Sequence, residues 1–367
     1  MTTTVSRRAF LHIGPPKTGT TFLQQVLWRQ RELAVQHGLL LPLGSVRDHF
    51  RASLDLRGIE TAPEGAPVTG SWDRLLAALT AWDGDVLVSH EMFAALDDAA
   101  AARALADLAG SDREVHVVVT ARDLGRQLPA VWQEAVKGRR SFTFAEFMAQ
   151  LEQPGSEFAG YLQDRQDYAG LLRRWSGPGV RRHLVTVPPP GAPRDLLWRR
   201  FAGVLGLPAD AFELDVRAND ALGAEQLELL RRLNERLGER LPWPGSYAPV
   251  VRGLFARRVL ARQAGRRIAA GGADLAFARD RARQQVAALE DLVGADGVEL
   301  AGALTDLLVA DDVGSAGDAR QQVADERLLA EAVEATVGLL ETLAEERARH
   351  HAELARLRER IRALEQG

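Results

Sequence analysis

The stretch Phe10-Leu-His-Ile-Gly-Pro-Pro-Lys-Thr-Gly-Thr-Thr-Phe-Leu23 constrains this chain more than any other. A short apolar run breaks into a loop of glycine and proline, and the loop opens an amphipathic helix. The spacing predicts a strand over Ala9–Ile13 and a helix from Gly19 to about Gln36, with Leu23, Val26, Leu27 and Leu33 or Ala34 on its apolar side. Gly38 then stops the helix. Such a turn aims backbone N–H groups and the positive end of the helix at one point, where an anion fits, and Thr20 and Thr21 add hydroxyl donors.

Gly14 and Gly19 have the spacing of the nucleotide-binding loop, glycine, four residues, glycine, lysine, then serine or threonine, and Thr21 fills the last position. Thr20, however, stands where that loop carries its lysine. The loop's own lysine is Lys17, earlier in the turn, so the cradle suits a shorter anion than ATP. Lys17 is also one of only two lysines, with Lys137, among 46 basic residues. An ammonium is a compact point charge, whereas a guanidinium is a wide fork that a tight glycine-bounded loop would not admit. The bland alternative is a strand-to-helix turn with a solvated lysine.

Further along, Leu39–Leu43 reads as a short strand, followed by a polar stretch with His49 and a surface loop from Gly58 to Gly70 near the substrate. Trp72–Trp82 reads as a helix, and Asp85–Ser89 as a buried strand delivering His90 and Glu91. An alanine-rich helix over Asp97–Ala109 precedes the strongest strand, Glu114–Ala121, which delivers Arg122. Helices are expected over Arg126–Lys137, Phe142–Leu151, Leu196–Leu205, Glu225–Leu237 and Arg252–Ile268, with a strand over His183–Val187. Alternation of strand and helix implies a parallel sheet flanked by helices, which binds ligands outside the carboxyl ends of its strands. The Gly14 loop, His90 and Arg122 all stand at such ends and should converge on one crevice.

The last third reads as all-helical, giving an α/β domain over residues 1–313 and a long terminal helix over 318–367. Leu354, Leu357, Ile361 and Leu364 form a short coiled-coil seam whose phase does not continue cleanly back through Arg347 and His351; it would pair the helix with a second copy as a homodimer. The alternative is a solvated helix packed on its own domain. A formal charge of −4 argues against general affinity for nucleic acid. The chain has no cysteine, which removes disulfides and thiolate metal sites, and no histidine pattern has metal-ligand spacing. No signal-peptide core and no apolar run of about 18 residues appears, so the expectation is a cytoplasmic protein without a membrane span.

Three pieces now stand in order: Gly14-Pro-Pro-Lys-Thr-Gly-Thr-Thr21, Val86-Leu-Val-Ser-His-Glu91 and Val117-Val-Val-Thr-Ala-Arg-Asp123. Together they resemble the sulfotransferases that use 3′-phosphoadenosine 5′-phosphosulfate (PAPS) and release adenosine 3′,5′-bisphosphate. The resemblance covers Arg8 to about Lys137 and implies a P-loop-like α/β core that transfers a sulfuryl group to a hydroxyl or amine of a small molecule, lipid or carbohydrate. It implies that Pro16, Lys17, Thr18, Gly19, Thr20 and Thr21 hold the 5′-phosphosulfate, and that Arg122 holds the 3′-phosphate. The family's serine eight residues after that arginine is Ala130 here, so Arg126, or else Arg252, would replace it. His90 stands where the family carries its general base, and Glu91 beside it is the competing base. Lys17 with the loop donors would stabilise charge on the leaving phosphate. Two other readings compete: a nucleotide kinase or NTPase, and a non-catalytic scaffold that keeps the fold.

Overall fold

A computed structural model describes residues 7–215, 222–266, 268–294, 297–310, 317–318 and 323–365. The chain divides into two compact units. The first comprises Met1–Trp132, Phe144–Asn219 and Ala269–Gly314; the second comprises Gln133–Thr143, Asp220–Ile268 and Ser315–Gly367.

The first unit is built on a six-stranded sheet in which every pairing is parallel. Its strands are β1 (Arg8–His12), β2 (Leu39–Leu40), β3 (Asp85–Ser89), β4 (Glu114–Ala121), β5 (Arg181–Thr186) and β6 (Val298–Ala301). They lie side by side in the order β2-β3-β1-β4-β5-β6. Between them run α1 (Thr20–Arg29), α2 (Arg31–Gln36), α3 (Val46–Leu56), α4 (Ser71–Thr80) and α5 (Asp98–Ala109). After β4 come α6 (Leu124–Lys137), whose residues from Gln133 on are counted with the second unit, α7 (Phe144–Glu152), α8 (Glu157–Arg165) and α9 (Tyr168–Arg174), and after β5 comes α10 (Leu196–Leu205).

Alternation along the strands separates two cores. Leu11, Val86, Val117 and Leu184 face one way, into a core closed by α4, α5 and α9; Phe10, Leu87, Val118 and Val185 face the other, beneath α1 and α10. With β1 between β3 and β4, the chain leaves the sheet in different directions on either side of it. The carboxyl ends of these three strands therefore share one edge.

The second unit holds α11 (Ala224–Leu237), a π-helical run over Ala248–Val259 and the long α13 (Asp325–Glu365); α12 (Gly272–Glu290) belongs to the first. Among the described residues, no helix is long and apolar enough to cross a membrane.

Several expectations change. The first helix breaks at Gln30 (φ −120°, ψ 32°) into α1 and α2. The polar stretch around His49 is α3, with His49, Ala52, Ser53 and Leu56 on the buried side. The helix expected over Arg252–Ile268 ends by Arg262. The last third is not all-helical, because β6 extends the sheet beyond β5.

Candidate functional site

β1 stays in the sheet until Ile13, whose N–H donates to the Val118 carbonyl at 3.0 Å. The chain then lifts away at Gly14. A Cβ there would lie 2.0 Å from Thr120 Oγ1 and 2.7 Å from His12 Nε2, so only glycine lets the loop leave this close to β4. Lys17 (φ 72°) and Gly19 (φ 89°) both take left-handed backbone, uncommon for lysine, and turn the loop into α1. Gly19 caps α1 without a side-chain hydrogen bond, so no capping side chain takes up the first-turn N–H groups.

Thr18 is fully buried; its hydroxyl donates to the Pro15 carbonyl at 2.7 Å and shares a 2.5 Å hydrogen bond with Thr120 Oγ1. That hydroxyl therefore staples the loop, leaving Thr18 only its backbone for a ligand. Thr20 is buried and Thr21 half-buried at the start of α1. Gln127, on α6, donates to the Pro16 carbonyl at 2.6 Å and to Gln166 Oε1 at 3.1 Å, securing the loop from the other side.

Arg122 leaves the end of β4 and donates through Nη1 to the Lys17 carbonyl at 3.2 Å. Its backbone is clamped by Tyr168, whose hydroxyl accepts from the Arg122 N–H at 3.1 Å and donates to its carbonyl at 2.8 Å. Burial, with Arg126 nearby, pushes the Arg122 guanidinium down to about 10. Arg126 is held by Asp123 through its backbone N–H, at 3.0 Å, and through Nε. Two buried donors, Arg122 Nε and Arg126 Nη2, have no hydrogen-bond partner among the described residues. Asp123 binds Arg126 and acts on Arg122 only through space, so the two guanidiniums have one carboxylate near them. Ala130 brings no donor. Arg252 lies in the second unit and pairs with Glu134 at 3.1 Å. Lys137 is mostly buried, and its ammonium lies 2.6 Å from Glu134.

On the other flank, the His90 N–H donates to the His12 carbonyl at 3.2 Å, extending the β1–β3 register. Glu91 begins a short 3₁₀ turn, so the chain bends and the two side chains lie on the same side, with His90 Nδ1 3.9 Å from Glu91 Oε2. His90 Nδ1 accepts from the Met92 N–H at 3.1 Å, which places the proton of the neutral ring on Nε2. Burial lowers the His90 pKa, and Glu91 opposes the shift. His49 is a strut: Nε2 donates to the Pro42 carbonyl at 2.9 Å and Nδ1 accepts from the Ser89 N–H at 3.1 Å.

Beneath the loop lies a layer that sequence reasoning missed. His12 Nδ1 is 2.8 Å from Ser89 Oγ and Nε2 is 3.4 Å from Thr120 Oγ1, while Gln24 of α1 donates to Ser89 Oγ at 3.3 Å. The ring ties the ends of β1, β3 and β4 together. Burial, and His90 nearby, push its pKa down to about 3, so it stays neutral. The signal was present as polar residues ending apolar strands, at His12, Ser89 and Thr120.

The structure therefore brings the Pro16–Thr21 loop, Arg122, His90 and Glu91 to one sheet edge and joins Arg126 to them through Asp123. Comparison with protein-family models, curated proteins and solved structures finds no match.

Proposed function

We propose that this chain is a cytoplasmic sulfotransferase that moves a sulfuryl group from PAPS to an acceptor hydroxyl. The observation that carries the reading is the position of the lysine: Lys17 sits inside the loop in left-handed backbone, and Thr20 occupies the slot where ATP-binding loops carry lysine. The P-loop-like character of the core belongs to the same reading, supported by the strand–loop–helix at β1.

The residues fit the cofactor. Backbone N–H groups at the start of α1, with Lys17, would hold the 5′-phosphosulfate, and the bare donors Arg122 Nε and Arg126 Nη2 suit a doubly charged 3′-phosphate. Bound PAPS supplies a sulfuryl group on a good leaving phosphate. With that group bound, Lys17 and the α1 donors would hold negative charge on the phosphate, a contribution worth on the order of a few kcal/mol per donor. Because His90 Nδ1 is engaged by the Met92 N–H, the neutral ring offers no bare nitrogen, and the Glu91 carboxylate takes the acceptor proton. His90 lines the site and holds the turn that presents Glu91.

Calorimetric titration with adenosine 3′,5′-bisphosphate, beside ATP with Mg²⁺, tests the reading. The bisphosphate should bind more tightly than ATP, and Lys17→Ala should weaken it at least tenfold. Preferential binding of ATP would instead select a kinase or NTPase, and binding of neither would select a scaffold.

A further inference from the structure

α13 presents two apolar stripes. Along its first half, Leu328, Ala335 and Thr342 are buried at heptad spacing against their own unit. A Cβ on Gly338 would lie 3.1 Å from Val259 Cγ1, and Arg258 binds Glu346 at 2.6 Å. The second stripe points elsewhere: Leu329, Val333, Leu340, Leu343, Leu354, Leu357 and Ile361 are all 45–68% exposed. Such a run of large apolar residues, longer than its own unit uses, marks an interaction surface.

One heptad frame joins its two apolar ends across a polar heptad. With Val333 at position a of a heptad, the a positions hold Val333, Leu340, Leu354 and Ile361, and the d positions hold Leu329, Leu343 and Leu357. Arg347 and His350 fall at the a and d positions of one intervening heptad, and Thr336 at a d position. The short seam ending at Leu364 is therefore the end of a longer one.

We infer that α13 pairs with α13 of a second copy as a parallel, in-register two-stranded coiled coil from Leu329 to Ile361, roughly 50 Å long at the ordinary helical rise. The residues select this occupant. Branched Val333 and Ile361 at a positions with leucine at d favour two strands. The flanking charges select the orientation: in a parallel pair Glu353 at g faces Arg358 at e of the other copy, twice over by symmetry. Turning one helix end for end, with Arg347 matched to His350 of the copy, would set Glu346 beside Glu353 and lose these pairs. Register is fixed by the polar heptad, because a slip of seven residues would bury Arg347 against leucine at 340 or 354 of the copy. The inference is independent of the proposed reaction.

Sedimentation equilibrium of the full chain at micromolar concentration should give twice the 40.1 kDa chain mass. The double variant Leu343→Glu/Leu357→Glu changes only exposed positions, so it should keep its fold and fall to the mass of one chain. Since the chain has no cysteine, Leu357→Cys alone should form a covalent dimer on oxidation, as facing d positions allow. A wild-type mass of one chain, or a dimer that survives the double variant, overturns the interface. Cross-linking between Leu343→Cys and Leu354→Cys chains, with none in Leu357→Cys, overturns the parallel orientation.

Discussion

Gly14→Ala isolates the geometry on which the loop depends. Gly14 is absent from the left-handed positions, so alanine meets no dihedral penalty there, and the whole effect must come from contact. The new Cβ would stand 2.0 Å from Thr120 Oγ1, which must move by more than 1 Å to reach an ordinary contact of about 3.4 Å. Moving it breaks the 2.5 Å bond to Thr18 and the 3.4 Å contact to His12. Overpacking of about 1–3 kcal/mol plus about 1 kcal/mol for the lost hydrogen bond predicts a destabilisation of about 2–4 kcal/mol in urea unfolding followed by tryptophan fluorescence. Thr120→Ala removes the obstructing oxygen and alone costs about 1–2 kcal/mol. The double variant should therefore be less destabilised than the sum of the singles by at least about 1 kcal/mol. Strict additivity, or a Gly14→Ala effect below about 0.5 kcal/mol, would refute this account of the loop.

Three further outcomes are expected. Glu91→Gln should lower kcat at least 100-fold, a loss of the size general-base removal brings, whereas His90→Asn should act mainly on KM; the reverse pattern would give the proton to His90. Acid should destabilise the fold: burial holds His12 at about 3 and His49 at about 4, below the unfolded value near 6.5, so their stabilisation is complete above pH 6.5 and is lost as pH falls toward 4. For His49 the loss is on the order of 3 kcal/mol, and His49→Gln should flatten the stability curve between pH 6.5 and 4; an unchanged slope contradicts the assignment. Arg126→Ala should weaken adenosine 3′,5′-bisphosphate at least tenfold while leaving adenosine 5′-monophosphate within about twofold, and equal losses for both would remove Arg126 from the 3′-phosphate.

The elements that were legible in the sequence are those whose pattern is local. β4 is an apolar run with an acidic start, and α10 repeats its apolar residues at helical spacing; both have the bounds expected of them. β6 was hidden because four residues between Gly297 and Gly302 are too few to show alternation, and only pairing with β5 makes them a strand. α3 was hidden because Arg47, Asp48, Arg51 and Asp55 interleave with its buried side and mask the period. The loop was readable because a lysine is rare in this chain and stands among glycines and prolines, and Arg122 because it directly follows the apolar run of β4. His12 was not, since its importance lies in burial and in partners on β3 and β4, more than 70 residues away. The Met92 hydrogen bond that fixes the His90 tautomer is likewise a property of the turn, not of residue identity.

The most direct test is transfer of label from ³⁵S-PAPS into cell extract fractionated by polarity, run beside the same fractions with γ-³²P-ATP. The account predicts that the wild-type chain moves ³⁵S into at least one fraction, that Lys17→Ala and Glu91→Gln do not, and that no ³²P is transferred. Transfer of ³²P without ³⁵S, or ³⁵S transfer undiminished in Lys17→Ala, would contradict it.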